Sequence, residues 1–153
     1  MTNKKILIVG GGPTGLMAAD FAIRSGVKVT LVDSMPTFGR KFLMAGKSGL
    51  NLTMHEDDVS FQKNIIHNGN LIDRALDEFG PIEVIKFANS LGIQTFIGST
   101  GRVFPKEMKA SPLLRSWISK LDEFGVLRKN RWKLKSLSNK VATFETPQGL
   151  VNE

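Results

Sequence analysis

Three glycines and one aspartate near the start of the chain have the spacing of a dinucleotide site. The pattern G-x-G-x-x-G falls on Gly10, Gly12 and Gly15, and Asp33 follows 23 positions after Gly10. In this pattern the first glycine permits a sharp turn, the second admits a pyrophosphate close to the backbone, and the third allows tight packing of helix on strand. The carboxylate accepts hydrogen bonds from ribose hydroxyls, and its charge argues against a 2′-phosphate there.

The elements that must position these residues are a strand, a turn, a helix and a second strand. Residues 4–9 are a short apolar run, residues 14–24 carry apolar side chains at helical spacing, and residues 28–32 alternate in β-branched residues. Pro13 and Thr14 stand at the helix start, where a missing proline N–H costs nothing and the dipole favours phosphates. This order predicts two parallel strands joined by a right-handed crossover.

A second glycine-rich segment raises the alternative of a triphosphate-binding loop. Gly46, Lys47 and Ser48 match the end of Gly-x-x-x-x-Gly-Lys-Ser/Thr, but residue 41, where the first glycine should stand, is lysine. The segment also follows a linker and not a strand, so we reject a triphosphate site. Residues 39–53 then suit a backbone wrapped around an extended anionic ligand, because they carry three glycines, three basic residues and no acid. The alternative is a flexible surface loop.

The composition is that of an ordinary globular domain. The chain has 153 residues, of which 41% are hydrophobic, and this is enough for one compact core. It contains no apolar run long enough to span a bilayer and no signal peptide, so we expect a cytoplasmic protein without a membrane partner. The absence of cysteine excludes disulfides and thiolate metal sites, and we predict no metal centre.

The formal net charge of +7 favours anionic partners without choosing among cofactor phosphates, acidic substrates and nucleic acid. Residues 128–135 are the densest basic run, and a basic strand that includes Trp132 could hold single-stranded nucleic acid. We favour a solvated strand face and predict no nucleic-acid partner. If the chain is part of a longer protein, an acidic remainder would also explain the charge.

Beyond residue 60 the pattern predicts helices and short strands. We expect helices over residues 71–79 and 82–91 and a strand over residues 93–97. Residues 98–105 are too rich in glycine and too closely bounded by proline to form an ordinary element.

The last third of the chain is predicted to form one more helix and a hairpin. Ser111 is expected to cap a helix that ends at Gly125. Residues 126–137 and 141–146 are strand-like, with Ser138-Asn139 as the turn of the hairpin.

We name no catalytic acid or base. A lone histidine in polar, loop-like sequence is more often a solvated side chain than a catalyst. Neighbouring carboxylates point apart on a strand or helix and do not form a paired site. Arg102 is an even choice between an anion contact and a structural salt bridge. The residues rejected on these grounds are His55, His67, Asp57-Asp58 and Asp122-Glu123.

Two stretches resemble the amino-terminal part of BaiN-type FAD-dependent oxidoreductases, also described as aminoacetone-oxidase-family enzymes. They are "ILIVGGGPTGLMAADFAIRSGVKVTLVD…GRKFLMAGKSGLNLT" and "GIQTFIGSTGRVFPKEMKASPLLRSWISKL". The resemblance runs over most of residues 5–146, and Gly-Leu-Asn-Leu-Thr at residues 49–53 is similar to one subgroup. It implies an α/β fold with a Rossmann-like FAD-binding βαβ unit, a helical insertion and a C-terminal β-hairpin. It also implies bound FAD, a small-molecule substrate of unknown identity and NAD(P)H as a candidate electron donor.

The resemblance assigns roles to residues. The glycine turn and Asp33 would hold the ADP half of FAD, Arg40 and Lys41 would approach the pyrophosphate, and residues 46–51 would pass beside the flavin. The full expected cofactor-binding set is Gly10, Gly12, Pro13, Thr14, Gly15, Asp33, Arg40, Lys41, Gly46, Lys47, Ser48, Gly49, Asn51 and Arg102.

Family members are longer than this chain, so we expect a truncated or fragmentary member whose own activity is open. We expect one partial FAD/NAD(P)-binding domain, divided into residues 1–60, a mainly helical segment 61–125 and a hairpin 126–153. Two rival functions remain: an NAD-binding dehydrogenase domain, which the same glycine turn would serve, and a non-catalytic basic module that binds nucleic acid.

Overall fold

The computed structural model describes residues 4–46, 49–65 and 70–153. The chain divides into two compact units, each described by itself. Unit 1 comprises Met1–Phe42 and Trp117–Glu153, and unit 2 comprises Leu43–Ser116. In the described ranges no helix combines the length and the apolar character needed to cross a membrane.

The described helices and strands follow one another in mixed order along the chain. The helices are α1 (Pro13–Arg24), α2 (Arg40–Ala45), α3 (Asp58–Lys63), α4 (Asn70–Glu78), α5 (Pro81–Ser90) and α6 (Ala110–Glu123). The strands are β1 (Lys5–Val9), β2 (Lys28–Asp33), β3 (Thr53–Met54), β4 (Thr95–Ile97), β5 (Arg102–Pro105), β6 (Leu127–Asn130), β7 (Lys133–Ser138), β8 (Val141–Thr146) and β9 (Gly149–Asn152).

Unit 1 contains a parallel sheet in the order β1-β2-β6. The parallel pairing of β1 with β2, from Lys5 opposite Lys28 onward, confirms the sequence prediction. The helix α1 between them buries Leu16 and Ala19, while β2 buries Val29 among other apolar side chains. The apolar stripe of α1 and the apolar run of β2 therefore form the core that holds the glycine turn.

Unit 1 also contains an antiparallel sheet in the order β7-β8-β9. The predicted hairpin is confirmed by the pairing of β7 with β8, and β9 adds a strand that the pattern did not predict. Phe144 is fully buried in a cluster with Ala142 and Val32, and Trp132 packs against it with ring centroids 5.4 Å apart. Because Val32 belongs to β2, this cluster joins the two sheets of unit 1.

The prediction of one strand over residues 126–137 is wrong. The chain forms β6 in the parallel sheet and β7 in the antiparallel sheet, and Arg131 between them has a φ of 60°. The Arg131 N–H donates to Met35 O at 3.1 Å, and the Trp132 N–H donates to Asp33 O at 2.9 Å. These bonds to the end of β2 and to the segment after it turn the backbone out of its first sheet, and no local pattern records them.

Unit 2 contains an antiparallel sheet in the order β3-β5-β4. The expectation of no ordinary element over residues 98–105 is wrong, because β5 pairs with both neighbours after a turn in which Gly101 has a φ of 78°. Residues 39–53, where we expect a backbone wrapped around an extended anionic ligand, contain α2 and the start of β3. The helices predicted over residues 71–79 and 82–91 are confirmed as α4 and α5 within one residue at each end.

Two further differences concern helix starts. Ser111 lies inside α6, which begins at Ala110, so its predicted role as N-cap is wrong. The short helix α3 was not predicted, and Asp57 caps it by accepting the Ser60 N–H at 3.0 Å.

Candidate functional site

The glycine turn joins β1 to α1 in unit 1. Gly10 has a φ of 110°, and its N–H donates to Val32 O at 2.8 Å. Gly12 is the N-cap of α1 with extended backbone, and no side chain caps the helix. Since the first N–H groups of a helix have no acceptor within it, Thr14 and Gly15 present donors at a positive dipole end. The turn thus supplies what an anion requires.

The space around each glycine tests its expected role. A Cβ on Gly15 would lie 1.8 Å from the carbonyl oxygen of Gly10 and 3.5 Å from Leu31 Cδ1, so only glycine permits this approach of helix to strand. A Cβ on Gly10 or Gly12 would meet nothing within 4 Å. The side of the turn at these two glycines is therefore open, and these residues fit a pyrophosphate that approaches the backbone.

Gly11 makes a contact that the pattern did not predict, because G-x-G-x-x-G leaves this position unspecified. A Cβ on Gly11 would lie 2.1 Å from Phe38 Cδ1, and Phe38 is only 6% exposed. The carbonyl of Gly11 accepts the N–H of Gly39 at 2.7 Å. The segment after β2 therefore folds back onto the glycine turn, and the only sequence signal of this contact was that Gly11 is also glycine, in the middle of three consecutive glycines.

Asp33 at the end of β2 is held by backbone donors. Its Oδ2 accepts the Gly11 N–H at 2.6 Å, and its Oδ1 accepts the Met35 N–H at 2.7 Å. A carboxylate oxygen can accept more than one hydrogen bond, so both oxygens keep capacity for further donors. The carboxylate is thus fixed beside the glycine turn and half-buried, in the position expected of a ribose acceptor.

Phe38 also contacts the start of the basic run, residues 128–135. The Arg128 guanidinium lies 5.2 Å from the centroid of the Phe38 ring and donates to both carboxylate oxygens of Asp122, at 2.6 and 2.7 Å. Asn130 Nδ2 donates to Pro36 O at 2.7 Å. These contacts show that β6 secures the segment between β2 and α2.

The other described members of the basic run include two with acidic partners on this chain. Lys129 pairs with Glu153 and lies 4.1 Å from the centroid of Trp132, and Lys135 pairs with Glu145 at 3.2 Å. These partners and the packing of the partly buried Trp132 against Phe144 of β8 give the run a structural role. They weaken the case for a nucleic-acid surface, which needs free cations and exposed rings.

Arg40 and Lys41 lie in the first turn of α2, and both side chains are exposed. Arg40, the first residue of α2, directly follows Gly39, and the N–H of Gly39 donates to the carbonyl of Gly11 in the glycine turn. The expected cofactor-binding residues between positions 10 and 41 therefore all lie in unit 1.

The remaining described site residues lie in unit 2. Gly49 has a φ of 138°, and a Cβ there would lie 2.7 Å from Met108 Cε; a Cβ on Gly46 would lie 2.6 Å from Ala110 Cβ. The segment runs beside β5, because the N–H of Leu52 donates to Val103 O at 2.8 Å. Asn51 and Arg102 are exposed. Lys47 and Ser48 lie outside the described residues.

The rejected acid and base candidates have ordinary surroundings where they are described. His55 is exposed, and His67 lies outside the described residues. The hydrogen bonds that Asp57 accepts from the Ser60 hydroxyl, at 2.7 Å, and from the Ser60 N–H lower the pKa of its carboxyl. Its role is that of a helix cap.

Comparison with known proteins identifies the fold family. The family model of the HI0933-like protein Rossmann domain matches residues 4–149. The glutamate synthase (NADPH) small chain of Halomonas elongata is 47% identical over 38 residues, which are 25% of this chain and 8% of that protein.

Solved structures share the fold at low identity. The 3-ketosteroid-Δ4-(5α)-dehydrogenase of Rhodococcus jostii RHA1 has a TM-score of 0.71 at 12% identity and covers 99% of this chain and 44% of its own. A flavocytochrome c3 fumarate reductase has a TM-score of 0.60 at 17% identity and covers 99% of this chain and 32% of its own. THI4 of Thermovibrio ammonificans has a TM-score of 0.59 at 16% identity and covers 97% of this chain and 52% of its own.

This chain thus spans about half or less of these neighbours' length. Their similarity confirms the Rossmann-like α/β fold. With a family model that spans nearly the whole chain, the protein belongs to the HI0933-like family, a family of FAD-dependent oxidoreductases, through its Rossmann domain.

Proposed function

We propose that this chain binds FAD as the amino-terminal part of a BaiN-type flavin-dependent oxidoreductase of the Gly-Leu-Asn-Leu-Thr subgroup. The observation that carries the proposal is the glycine turn, which is open at Gly10 and Gly12 and closed at Gly15, with Asp33 fixed beside it. The family supplies the choice of FAD. A cytoplasmic location and NAD(P)H as electron donor belong to the same proposal.

In this proposal the chain binds and orients, and FAD when bound supplies the hydride chemistry. The N–H groups at the start of α1 and the exposed Arg40 and Lys41 stabilise the pyrophosphate charge. Asp33 accepts from ribose hydroxyls. In unit 2, Gly46, Lys47, Ser48, Gly49, Asn51 and Arg102 are assigned to the flavin side.

The enzyme rival is an NAD-binding dehydrogenase, since the same turn suits either dinucleotide. It differs in one measurable respect, because it requires NAD affinity without flavin affinity. The nucleic-acid rival is less favoured, because Arg128, Lys129 and Lys135 have acidic partners on this chain. That rival requires an affinity that falls steeply with salt and is lost when Arg131 and Lys133 are neutralised.

The test is a visible absorption scan of the purified protein, followed by acid release and identification of any yellow chromophore. A colourless preparation is then titrated with FAD and, separately, with NAD, and fluorescence of Trp117 and Trp132 reports binding. We expect FAD to be released or taken up. A folded protein that binds NAD and no flavin, or neither dinucleotide, contradicts the proposal.

A further inference from the structure

The two faces of the sheet in unit 2 carry different kinds of side chain and differ in burial. Because side chains alternate along a strand, Val103 and Pro105 point to one side of β5, and both are buried. Arg102 and Phe104 point to the other side, where cross-strand pairing places Met54 opposite Arg102 and Phe96 opposite Phe104. We call this second side, formed by Met54, Phe96, Arg102 and Phe104, the aromatic face.

Two rings form its flat part. The centroids of Phe96 and Phe104 are 5.8 Å apart with an angle of 29° between the planes, and Phe96 remains 39% exposed. Glycines border the Phe104 ring: a Cβ on Gly98 would lie 3.2 Å from its Cε2, and a Cβ on Gly49 would lie 3.9 Å from its Cε1. A larger residue at Gly98 would crowd the ring, whereas the distance at Gly49 is that of an ordinary van der Waals contact.

Arg102 places a positive charge beside the rings. Its side chain is exposed and forms no ion pair or side-chain hydrogen bond with any residue in the part of the chain that the structure describes. It stands two residues from Phe104, which is about 7 Å along a strand. A guanidinium binds a carboxylate through two parallel hydrogen bonds, whereas the neighbouring rings offer only stacking surface.

We propose that the aromatic face binds a planar aromatic carboxylate as the substrate of the flavin-dependent reaction. The ring of such a molecule stacks against Phe96 and Phe104, and its carboxylate pairs with Arg102. An aliphatic acid lacks the stacking part, and a neutral aromatic compound lacks the charge. This proposal rests on the proposed function and changes one part of it, because it assigns Arg102 to the substrate carboxylate and not to the flavin. Binding to the face can be measured without flavin.

The same unit contains the segment that the proposed function assigns to the flavin side. Gly49 borders both Phe104 and Met108, and the N–H of Leu50 donates to Met108 O at 3.0 Å. The aromatic face therefore shares its border with that segment inside unit 2. A substrate on the face would lie beside residues that the proposed function assigns to the reacting ring.

The experiment uses the whole chain labelled with 15N and titrated with trans-cinnamate, with and without FAD. We expect the backbone amide signals of Gly98 and Phe104 to shift, with weaker effects for cinnamyl alcohol and for hexanoate at equal concentration. Arg102→Ala should weaken cinnamate binding roughly tenfold or more, the usual effect of losing a charged hydrogen-bond partner. Arg102→Lys should retain part of the affinity, and Phe96→Ala should also weaken binding.

Arg115→Ala is the matched control, because it removes the same charge from an exposed position on α6. It should leave cinnamate binding unchanged, and the dispersion of the amide spectrum checks that each variant is folded. Equal binding by wild type and Arg102→Ala overturns the proposal, as does equal binding of cinnamyl alcohol. The proposal is also overturned if FAD alone shifts these amides and abolishes the cinnamate effect, since the face then holds the cofactor.

The outcomes separate the two proposals. FAD uptake without cinnamate binding overturns the substrate assignment and leaves the proposed function standing. Cinnamate binding without any FAD uptake overturns the proposed function, and with it the role of the face in a flavin reaction.

Discussion

Replacing Gly15 by alanine would place a methyl group 1.8 Å from the carbonyl oxygen of Gly10. The opposing atom belongs to the backbone, so no side-chain rotation can relieve the overlap. Alanine inside α1 gains about 1 kcal/mol of helix propensity over glycine. Forcing a methyl group into a closely packed site costs about 1–3 kcal/mol and occasionally more. Because the helix must move from the strand, we take the upper end and expect a net loss of about 2 kcal/mol.

Gly12→Ala is the matched control, since it adds the same methyl group at the open side of the turn. Nothing lies within 4 Å, and the φ of −78° is accessible to alanine. The loss of a favourable N-cap residue, about 0.5–1 kcal/mol, is offset by the reduced entropy of the unfolded chain, about 0.4–1 kcal/mol. Stability should therefore stay close to wild type, whereas FAD affinity should fall because the methyl group occupies the proposed pyrophosphate side.

Thermal unfolding followed by circular dichroism measures the first effect, and FAD titration measures the second. For a chain of this size about 2 kcal/mol corresponds to a Tm lower by roughly 4–8 °C in Gly15→Ala. If Gly15→Ala has the same Tm as the wild type, the close approach of α1 to the turn is refuted. If Gly12→Ala binds FAD as tightly as the wild type, the ligand does not approach the turn on its open side.

Three further predictions concern other contacts of the site and of a helix cap. Phe38→Ala removes the buried ring beside Gly11 and should lower the free energy of unfolding by about 3–5 kcal/mol, measured by urea denaturation. Asp33→Asn keeps the size of the side chain but removes its charge, and fluorescence titration should show FAD binding roughly tenfold weaker. The lowered pKa of Asp57 stabilises α3 above the ordinary value of 3.8 and ceases to do so as the pH falls through the lowered folded value. The protection factors of the amides in α3, which are corrected for the intrinsic pH dependence of hydrogen exchange, should therefore fall on acidification through that range.

Each of these has a control and a result that would contradict it. Phe38→Leu keeps an apolar side chain and should cost less than Phe38→Ala; equal losses would mean that the ring does not fill the space beside Gly11. If Asp33→Asn binds FAD and NAD as tightly as the wild type, Asp33 does not accept hydrogen bonds from a ribose. Asp57→Asn should abolish the acid dependence of the protection factors in α3, and its persistence would assign the effect to another group.

The βαβ unit was predictable because its determinants are local. Gly10, Gly15 and Asp33 belong to one short stretch, and their contacts are made within it. The contact of Gly11 with Phe38 was missed, because the motif leaves Gly11 unspecified and nothing marks Phe38 as buried. Local patterns predict elements that local hydrogen bonds form, and they omit contacts between distant segments.

The break at Arg131 shows the same limit more strongly. Residues 126–137 have strand character throughout, but two N–H groups at the break bond to acceptors at Asp33 and Met35. Arg102 was left between an anion contact and a salt bridge, and only the fold shows it without an ion pair among the described residues. Its binding role stays a prediction.

The position of β6 has a consequence for how the chain acquires its structure. Asn130 bonds to Pro36 across 94 residues of sequence, and β6 pairs with β2 over a similar separation. Contacts of this kind form slowly, because the entropy of closing a long loop is lost before the pairing compensates for it. During synthesis β2 leaves the ribosome long before its partner is made, and its edge remains open to other chains meanwhile. Expression yield should therefore depend on the rate at which residues 37–126 are translated.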